Sequence, residues 1–175
     1  MLESQAAICR TRMTLVASAV EERTGILKMT HHLAFPGVRD FSDRELRALA
    51  DQMELYQAAA GAVIFEEGSR EAWMGIVAGG HVEIAKADAS GSDCLLATLG
   101  VGKVLGEMAL VDAVARSARA VALTDARILV LTKREFERLL VTSPSLGVKL
   151  LLALARLMSS RLRLTSGRLV ESLSS

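Results

Sequence analysis

Eleven residues in the middle of this 175-residue chain combine types that act together on an anion. They are Gly106-Glu107-Met108-Ala109-Leu110-Val111-Asp112-Ala113-Val114-Ala115-Arg116, followed by Ser117-Ala118. Gly106 lets the backbone approach a ligand closely. Met108 to Val111 can form a short helical turn whose free amides point at an anion. Arg116 offers a planar fork for two phosphate oxygens. Ser117 adds a hydroxyl donor, and Glu107, as an acceptor, suits a sugar hydroxyl. Together these parts suit a sugar carrying a singly charged phosphate. The competing reading is that Glu107 and Arg116 simply form a surface salt bridge, which is worth little.

The elements that must position this segment fall into three zones. Residues 1 to about 57 read as helical. Ser42-Asp43-Arg44-Glu45 is a capping box, and the helix it opens carries Leu46, Leu49, Ala50 and Met53 on one face. Residues 5 to 24 form a second candidate helix, and Pro36-Gly37 marks a loop. From about 58 to 132 the period changes. Val63-Ile64-Phe65, Trp73 to Val77, the alternating Val82-Glu83-Ile84-Ala85-Lys86, Cys94 to Leu99, Ala120 to Leu123 and Ile128 to Leu131 read as short strands with glycine at the corners. That spacing suggests a sandwich or barrel. From 133 the chain reads as helical again, Lys133 to Leu140 and then a long helix from Leu146. Its stripe runs through Leu151, Leu154, Met158, Leu162, Thr165, Leu169 and Leu173 in steps of three and four.

Composition excludes several classes. With 21 basic and 20 acidic residues, the net charge of +1 gives no global pull toward nucleic acid or an anionic membrane. Aromatics are only 3%, so the core must be built from Leu, Val, Ala, Ile and Met. Cys9 and Cys94 make neither a disulfide framework nor a metal-ligand spacing, which places the chain by default in a reducing cytoplasm. No membrane span is expected: the most apolar stretch, Leu146 to Met158, is interrupted by Lys149 and Arg156. Arg10 and Arg12 precede Met13-Thr14-Leu15-Val16, too short an apolar run for a signal peptide, and the segment reads as a soluble helix. The pair His31-His32 has no third ligand and reads as part of a solvated loop. Arg161, Arg163 and Arg168 read as a solvated face. No nucleophile–base pair, metal cluster or phosphate loop appears, so the chain is expected not to be an enzyme and to need no cofactor.

The segment from Gly106 to Ser117 resembles the phosphate-binding cassette of cyclic-nucleotide-binding domains, which starts Gly-Glu-(Leu/Met)-Ala-Leu and ends Arg-(Ser/Thr/Ala)-Ala. Its spacing is similar to that of protein kinase A regulatory subunits and one residue shorter than in the bacterial catabolite activator. The likeness runs from about Phe41 to the final helix and includes Gly61-x-Val63-Ile64-Phe65-x-x-Gly68 and Gly80-x-Val82-Glu83-Ile84. The resemblance implies a mainly β fold: an eight-stranded, jelly-roll-like β-roll over 41–142, an N-terminal helical extension over 1–40, a short cassette helix, and a C-terminal dimerisation or lid helix over 143–175. It implies that Gly106, Glu107, Met108, Ala109, Arg116 and Ser117 bind the ligand, with Glu107 on the ribose 2′-hydroxyl and Arg116 on the cyclic phosphate. The expected ligand is cAMP, with cGMP or cyclic di-GMP as alternatives; a dimerisation module with a vestigial pocket is a further one. Two departures stand out. Ala115 replaces a common proline, and the carboxylate of Asp112 would weaken phosphate binding unless it faces water. Thr165-Ser166 resembles the activator's base-contacting pair, the serine acting across a homodimer. Counted from Phe136, however, the pair lies about one turn further along, and without a compensating insertion Arg161 or Leu162 faces the purine. The resemblance also implies a regulatory role without a winged helix-turn-helix in these 175 residues, hence no nucleic acid contact by this chain alone.

Overall fold

A computed structural model describes residues 12–34, 41–88, 91–112 and 114–174. Nine strands form two sheets among these residues. In chain order the elements are β1 (Met13–Val16), α1 (Val20–Ala34), α2 (Asp43–Asp51), β2 (Glu54–Ala58), β3 (Val63–Phe65), β4 (Trp73–Gly79), β5 (Val82–Ala87), β6 (Asp93–Leu99), β7 (Val104–Leu105), α3 (Glu107–Asp112), β8 (Arg119–Ala122), β9 (Ala126–Thr132), α4 (Lys133–Thr142) and α5 (Pro144–Leu173). One sheet runs β1-β2-β9-β4-β7 and the other β3-β8-β5-β6. This is the jelly-roll-like architecture expected, with helices at both ends.

Two helical expectations fail at the N-terminal side. Residues 13–16, expected within a helix over 5–24, form β1 instead, and the helix begins only at Val20. β1 pairs antiparallel with β2 from Met13↔Ala58 to Val16↔Leu55. It therefore brings the strand count to nine rather than eight. An exposed β2 edge offers unpaired backbone groups, and β-branched Thr14 and Val16 suit an extended chain; a local periodicity count cannot see that partner. Residues 54–57, expected to be helical, lie in β2 for the same reason: they pair with 127–130 of β9. Residues 5–11, Cys9 and the Pro36-Gly37 loop lie outside the described residues. His31-His32 stands in the last turn of α1, not in a loop, with the His31 Nδ1 2.9 Å from the Leu27 carbonyl.

The larger sheet is covered on both faces, so its central strands read as nearly continuous apolar runs. Along β9 the side chains alternate. Leu129 and Leu131 face α1, α2, α4 and α5 in a core with Leu46, Met74, Ile76, Phe136 and Leu150. Ile128 and Val130 face the second sheet with Ile64, Phe65, Trp73, Val77 and Val82. The capping box is present at α2: the Ser42 amide donates to Glu45 Oε2 at 2.7 Å, and the Glu45 amide donates to Ser42 Oγ at 3.3 Å.

The C-terminal stripe does not lie in one environment. Leu150, Ala153 and Leu154 are buried against the roll, and Leu151 and Leu157 are half-buried on it. Beyond Arg161, every residue of α5 whose side chain is described is exposed. The helix therefore leaves the roll near Arg161 and carries Leu162, Leu164, Leu169 and Val170 into solvent. Nothing among the described helices is long and apolar enough to cross a membrane.

At Gly80, which ends β4's turn with φ +75°, an added Cβ would lie 2.2 Å from the Asp125 carbonyl oxygen. Both backbone sign and space require glycine here. Gly80→Ala is expected to lower unfolding free energy by about 1–3 kcal/mol, measured by urea denaturation. An unchanged midpoint and slope would contradict this packing of the β8–β9 turn.

Candidate functional site

The centre of the site is a cation inside the roll. Arg116 is only 4% exposed. Its guanidinium carbon lies 4.3 Å from the centroid of the Phe65 ring and 4.5 Å from that of Trp73. Both rings come from the inter-sheet core, and such flanking aromatic faces favour a planar cation. Nη1 donates to the Gly106 carbonyl at 2.9 Å. Nε and Nη2 are buried with no hydrogen-bond partner. Burial pushes the guanidinium down to about 10, with Glu71 and Glu107 acting in the opposite direction. At neutral pH it therefore remains charged, and two donors are left open.

Gly106 is needed for this arrangement. Its φ is +72°, and a Cβ there would stand 2.3 Å from Arg116 Nη1 and 3.0 Å from the Trp73 carbonyl. The arginine thus packs against the bare face of the glycine that opens the cassette. The arginine's own backbone is held by the β3–β4 turn: Gly68 N donates to the Arg116 carbonyl, and Arg116 N donates to the Ser69 carbonyl, each at 2.8 Å.

Glu107 opens α3 and is also only 4% exposed. Its partner is Arg161 of α5, whose Nη1 lies 2.5 Å from Glu107 Oε1. Arg161 Nη2 donates to the Val104 carbonyl at 2.5 Å. The reading of Glu107 and Arg116 as a surface salt bridge is therefore overturned, since both are buried and the carboxylate pairs elsewhere. The reading of Arg161 as a solvated face fails as well. Thr165, one turn further along α5, donates its hydroxyl back to the Arg161 carbonyl at 3.0 Å.

These groups surround one cavity of about 350 Å³, within the usual range for small-molecule sites, roughly 300–1,000 Å³. Gly106, Glu107, Met108, Ala109, Arg116, Ser117 and Thr165 line it, as does Arg161. Ser166 is not among its lining residues and is exposed. The other walls are mostly apolar: Phe65, Ile84, Leu96, Leu99, Leu105 and Leu164. One end is thus a buried cation beside a buried carboxylate, and the rest suits a flat, weakly polar group. The Ser117 hydroxyl is exposed and lies 3.8 Å from Met108 Sδ. Asp112 is exposed and its Oδ1 accepts from the Val114 amide at 2.9 Å. It therefore faces water, which removes the conflict with an anion.

Sequence reasoning placed Arg161 on a solvated face or, as an alternative, opposite a purine, and missed its pairing with Glu107. The available signal was its position four residues before Thr165, on the same helix face. It also missed that Trp73 and Phe65 form the bed of Arg116. That depends on β4 and β3 lying on opposite sheets, which no local pattern reveals.

A roll of this kind, with a buried arginine and a buried acid lining one mostly apolar cavity, defines a small-molecule-binding domain. Residues 56–143 match the model of the cyclic nucleotide-binding domain, and the chain belongs to that family. The family is a regulatory binding fold, not an enzyme fold. The chain is 35% identical over 96 residues to the cyclic AMP receptor protein of Thermus thermophilus, an alignment covering 55% of this chain and 44% of that protein. A crystal structure of a cyclic nucleotide-binding domain from Methylobacillus flagellatus superposes with a TM-score of 0.81 at 27% identity, covering 92% of this chain and 89% of the other. The regulatory domain of Toxoplasma gondii PKA, solved with cAMP, shares the fold with a TM-score of 0.62 at 19% identity, covering 70% of this chain and 46% of that one. The chain spans about half the length of the curated relatives it matches.

A buried cation whose Nε and Nη2 have no hydrogen-bond partner costs stability, since each buried unsatisfied donor is unfavourable by about 1–3 kcal/mol. Arg116→Met is therefore expected to leave the ligand-free domain at least as stable to heat as the unmodified chain. A loss above about 2 kcal/mol would show that the charge is satisfied without a ligand.

Proposed function

We propose that this domain is a cAMP sensor that reads the cyclic phosphate with Arg116 and passes the binding event to α5 through Glu107 and Arg161. The observation that carries the proposal is the pair of buried donors on Arg116, Nε and Nη2, left without partners beside the cavity. A cyclic phosphate is singly charged and presents two exocyclic oxygens, so it suits one planar cation with two free N–H groups. Met108, Ala109 and Ser117 also line the cavity, and the backbone of the first two and the hydroxyl of the third would complete the phosphate end. The ribose 2′-hydroxyl is the natural donor to Glu107. Arg161 holds that carboxylate. A ribose that engages Glu107 changes what Arg161 can hold, and any preference of the ligand for one arrangement of α5 shifts that equilibrium. The apolar walls and Thr165 suit a purine base. The name of the Thermus relative supports adenine over guanine.

The same reading includes a homodimer through α5. Val148, Leu152, Ala155, Ser159, Leu162, Ser166 and Leu169 recur in steps of four and three along the helix, and all are exposed. That is the spacing of a coiled-coil seam. Two parallel copies would cover it and set Ser166 of each against the other, near Thr165 at the cavity mouth. The exposed free Cys94 suits a reducing cytoplasm.

Isothermal titration calorimetry with cAMP, cGMP and cyclic di-GMP tests the ligand. cAMP is expected to bind most tightly. Arg116→Ala is expected to weaken it by about 2–5 kcal/mol, and Glu107→Ala by a smaller amount, about 1.5–3 kcal/mol. Absence of binding by either mononucleotide at millimolar concentration would leave only a vestigial pocket, and tighter cyclic di-GMP binding would replace the ligand. Sedimentation velocity tests the seam: the unmodified chain is expected to run as a dimer and Leu162→Glu as a monomer. Monomers for both, with and without cAMP, would remove the cross-subunit role of Ser166.

A further inference from the structure

The exit of the cassette is braced from outside the cavity. The β3–β4 turn fixes the backbone of Arg116, but neither of those two bonds reaches the following residue. The Ser117 carbonyl instead accepts from Lys86 Nζ of β5 at 2.8 Å. The same ammonium pairs with Glu67 Oε1 in the β3–β4 turn at 2.7 Å. Glu67 Oε2 in turn accepts from the Ala87 amide at 3.2 Å. Lys86, with the Ala87 amide second, holds the Glu67 carboxyl below its ordinary value. One lysine thus joins β5, the turn and the cassette exit at a single point. Beside it Arg119 makes a second bridge, to Glu66 Oε2 at 3.0 Å and Asp93 Oδ2 at 3.1 Å.

Lys86 does not line the cavity. Its contact with the cassette is through a backbone oxygen, while the Ser117 side chain is exposed and makes only a long contact with sulfur. The direction of that hydroxyl therefore rests on its backbone. A lysine suits the task because its three donors reach two acceptors at the end of one stem.

We propose that Lys86 is a positioning residue for the anion-reading end of the site: by tying the Ser117 carbonyl to Glu67, it fixes the backbone from which Arg116 and Ser117 reach a ligand. The inference rests on the cyclic-nucleotide reading above. The pair is partly exposed, with side chains at 48% and 34% for Lys86 and Glu67. Its effect is accordingly modest, about twofold to fivefold in affinity at low salt, and shrinks as salt screens it.

The test compares the full chain, Lys86→Met and Lys86→Arg, each checked for folding by circular dichroism, in titrations with cAMP and with cGMP. Lys86→Met is expected to weaken both nucleotides by the same factor, because the brace acts on the phosphate end and not on the base. The ³¹P resonance of bound cAMP is expected to shift in this variant, and Lys86→Arg to restore both affinity and resonance. Wild-type affinity in Lys86→Met, a loss confined to one base, or an unmoved ³¹P resonance would overturn the inference while leaving the cyclic-nucleotide reading intact. Binding of neither nucleotide by the unmodified chain would overturn that reading, and this inference with it.

Discussion

The charge of Arg116 sits where water does not reach it, between the rings of Phe65 and Trp73. A cation held this way needs aromatic faces, one accepting carbonyl and a backbone that cannot drift. The fold supplies each from a different place. Phe65 comes from β3 in one sheet and Trp73 from β4 in the other, so the two must stack before the bed exists. Gly106 gives up its side chain to let the guanidinium approach. Gly68 and Ser69 clamp the arginine's own peptide groups. Nε and Nη2 still have no hydrogen-bond partner, and the proposed ligand is one that can meet them.

Glu107 extends that constraint to the C-terminal helix. A buried carboxylate needs a partner, and the one it has belongs to α5, 54 residues further along the chain. Arg161 also holds the Val104 carbonyl at the start of β7. The point where α5 leaves the roll is therefore the point where it touches the site. Up to that residue the helix is anchored by Leu146, Leu150, Ala153 and Leu154; past it every residue whose side chain is described is exposed, with Leu164 and Thr165 at the cavity. On the proposed reading, a change at Glu107 would be felt where the helix is least buried, as a two-state element requires.

Much of this was legible in the sequence, and the parts that were not share a cause. The cassette residues could be read because their chemistry is compact: a glycine, an acid and an arginine within eleven positions, and Gly106, Glu107, Met108, Ala109, Arg116 and Ser117 do meet at one cavity. The alternation in 82–86 and the capping box at Ser42 are local signals, and both elements formed. What failed was long-range. Met13–Val16 became a strand because a β2 edge stood open beside it. Glu54–Ala58 became a strand because β9 pairs with it. Arg161 became a site residue because a helix that begins at Pro144 passes the buried acid of α3. His31 and His32, isolated in sequence, were absorbed by the last turn of α1. Ser166 stayed out of the cavity that Thr165 lines.

The central claim is that the open N–H groups of Arg116 are met by a cyclic phosphate. The most direct measurement is the side-chain ¹H–¹⁵N resonance of Arg116 Nε, assigned by its loss in Arg116→Lys and followed by NMR as cAMP is added. The account predicts that this Nε–H moves strongly downfield on saturation, as a buried cationic donor without a partner gains a charge-assisted hydrogen bond to phosphate. An Nε–H resonance that stays in place while cAMP saturates the protein would contradict it.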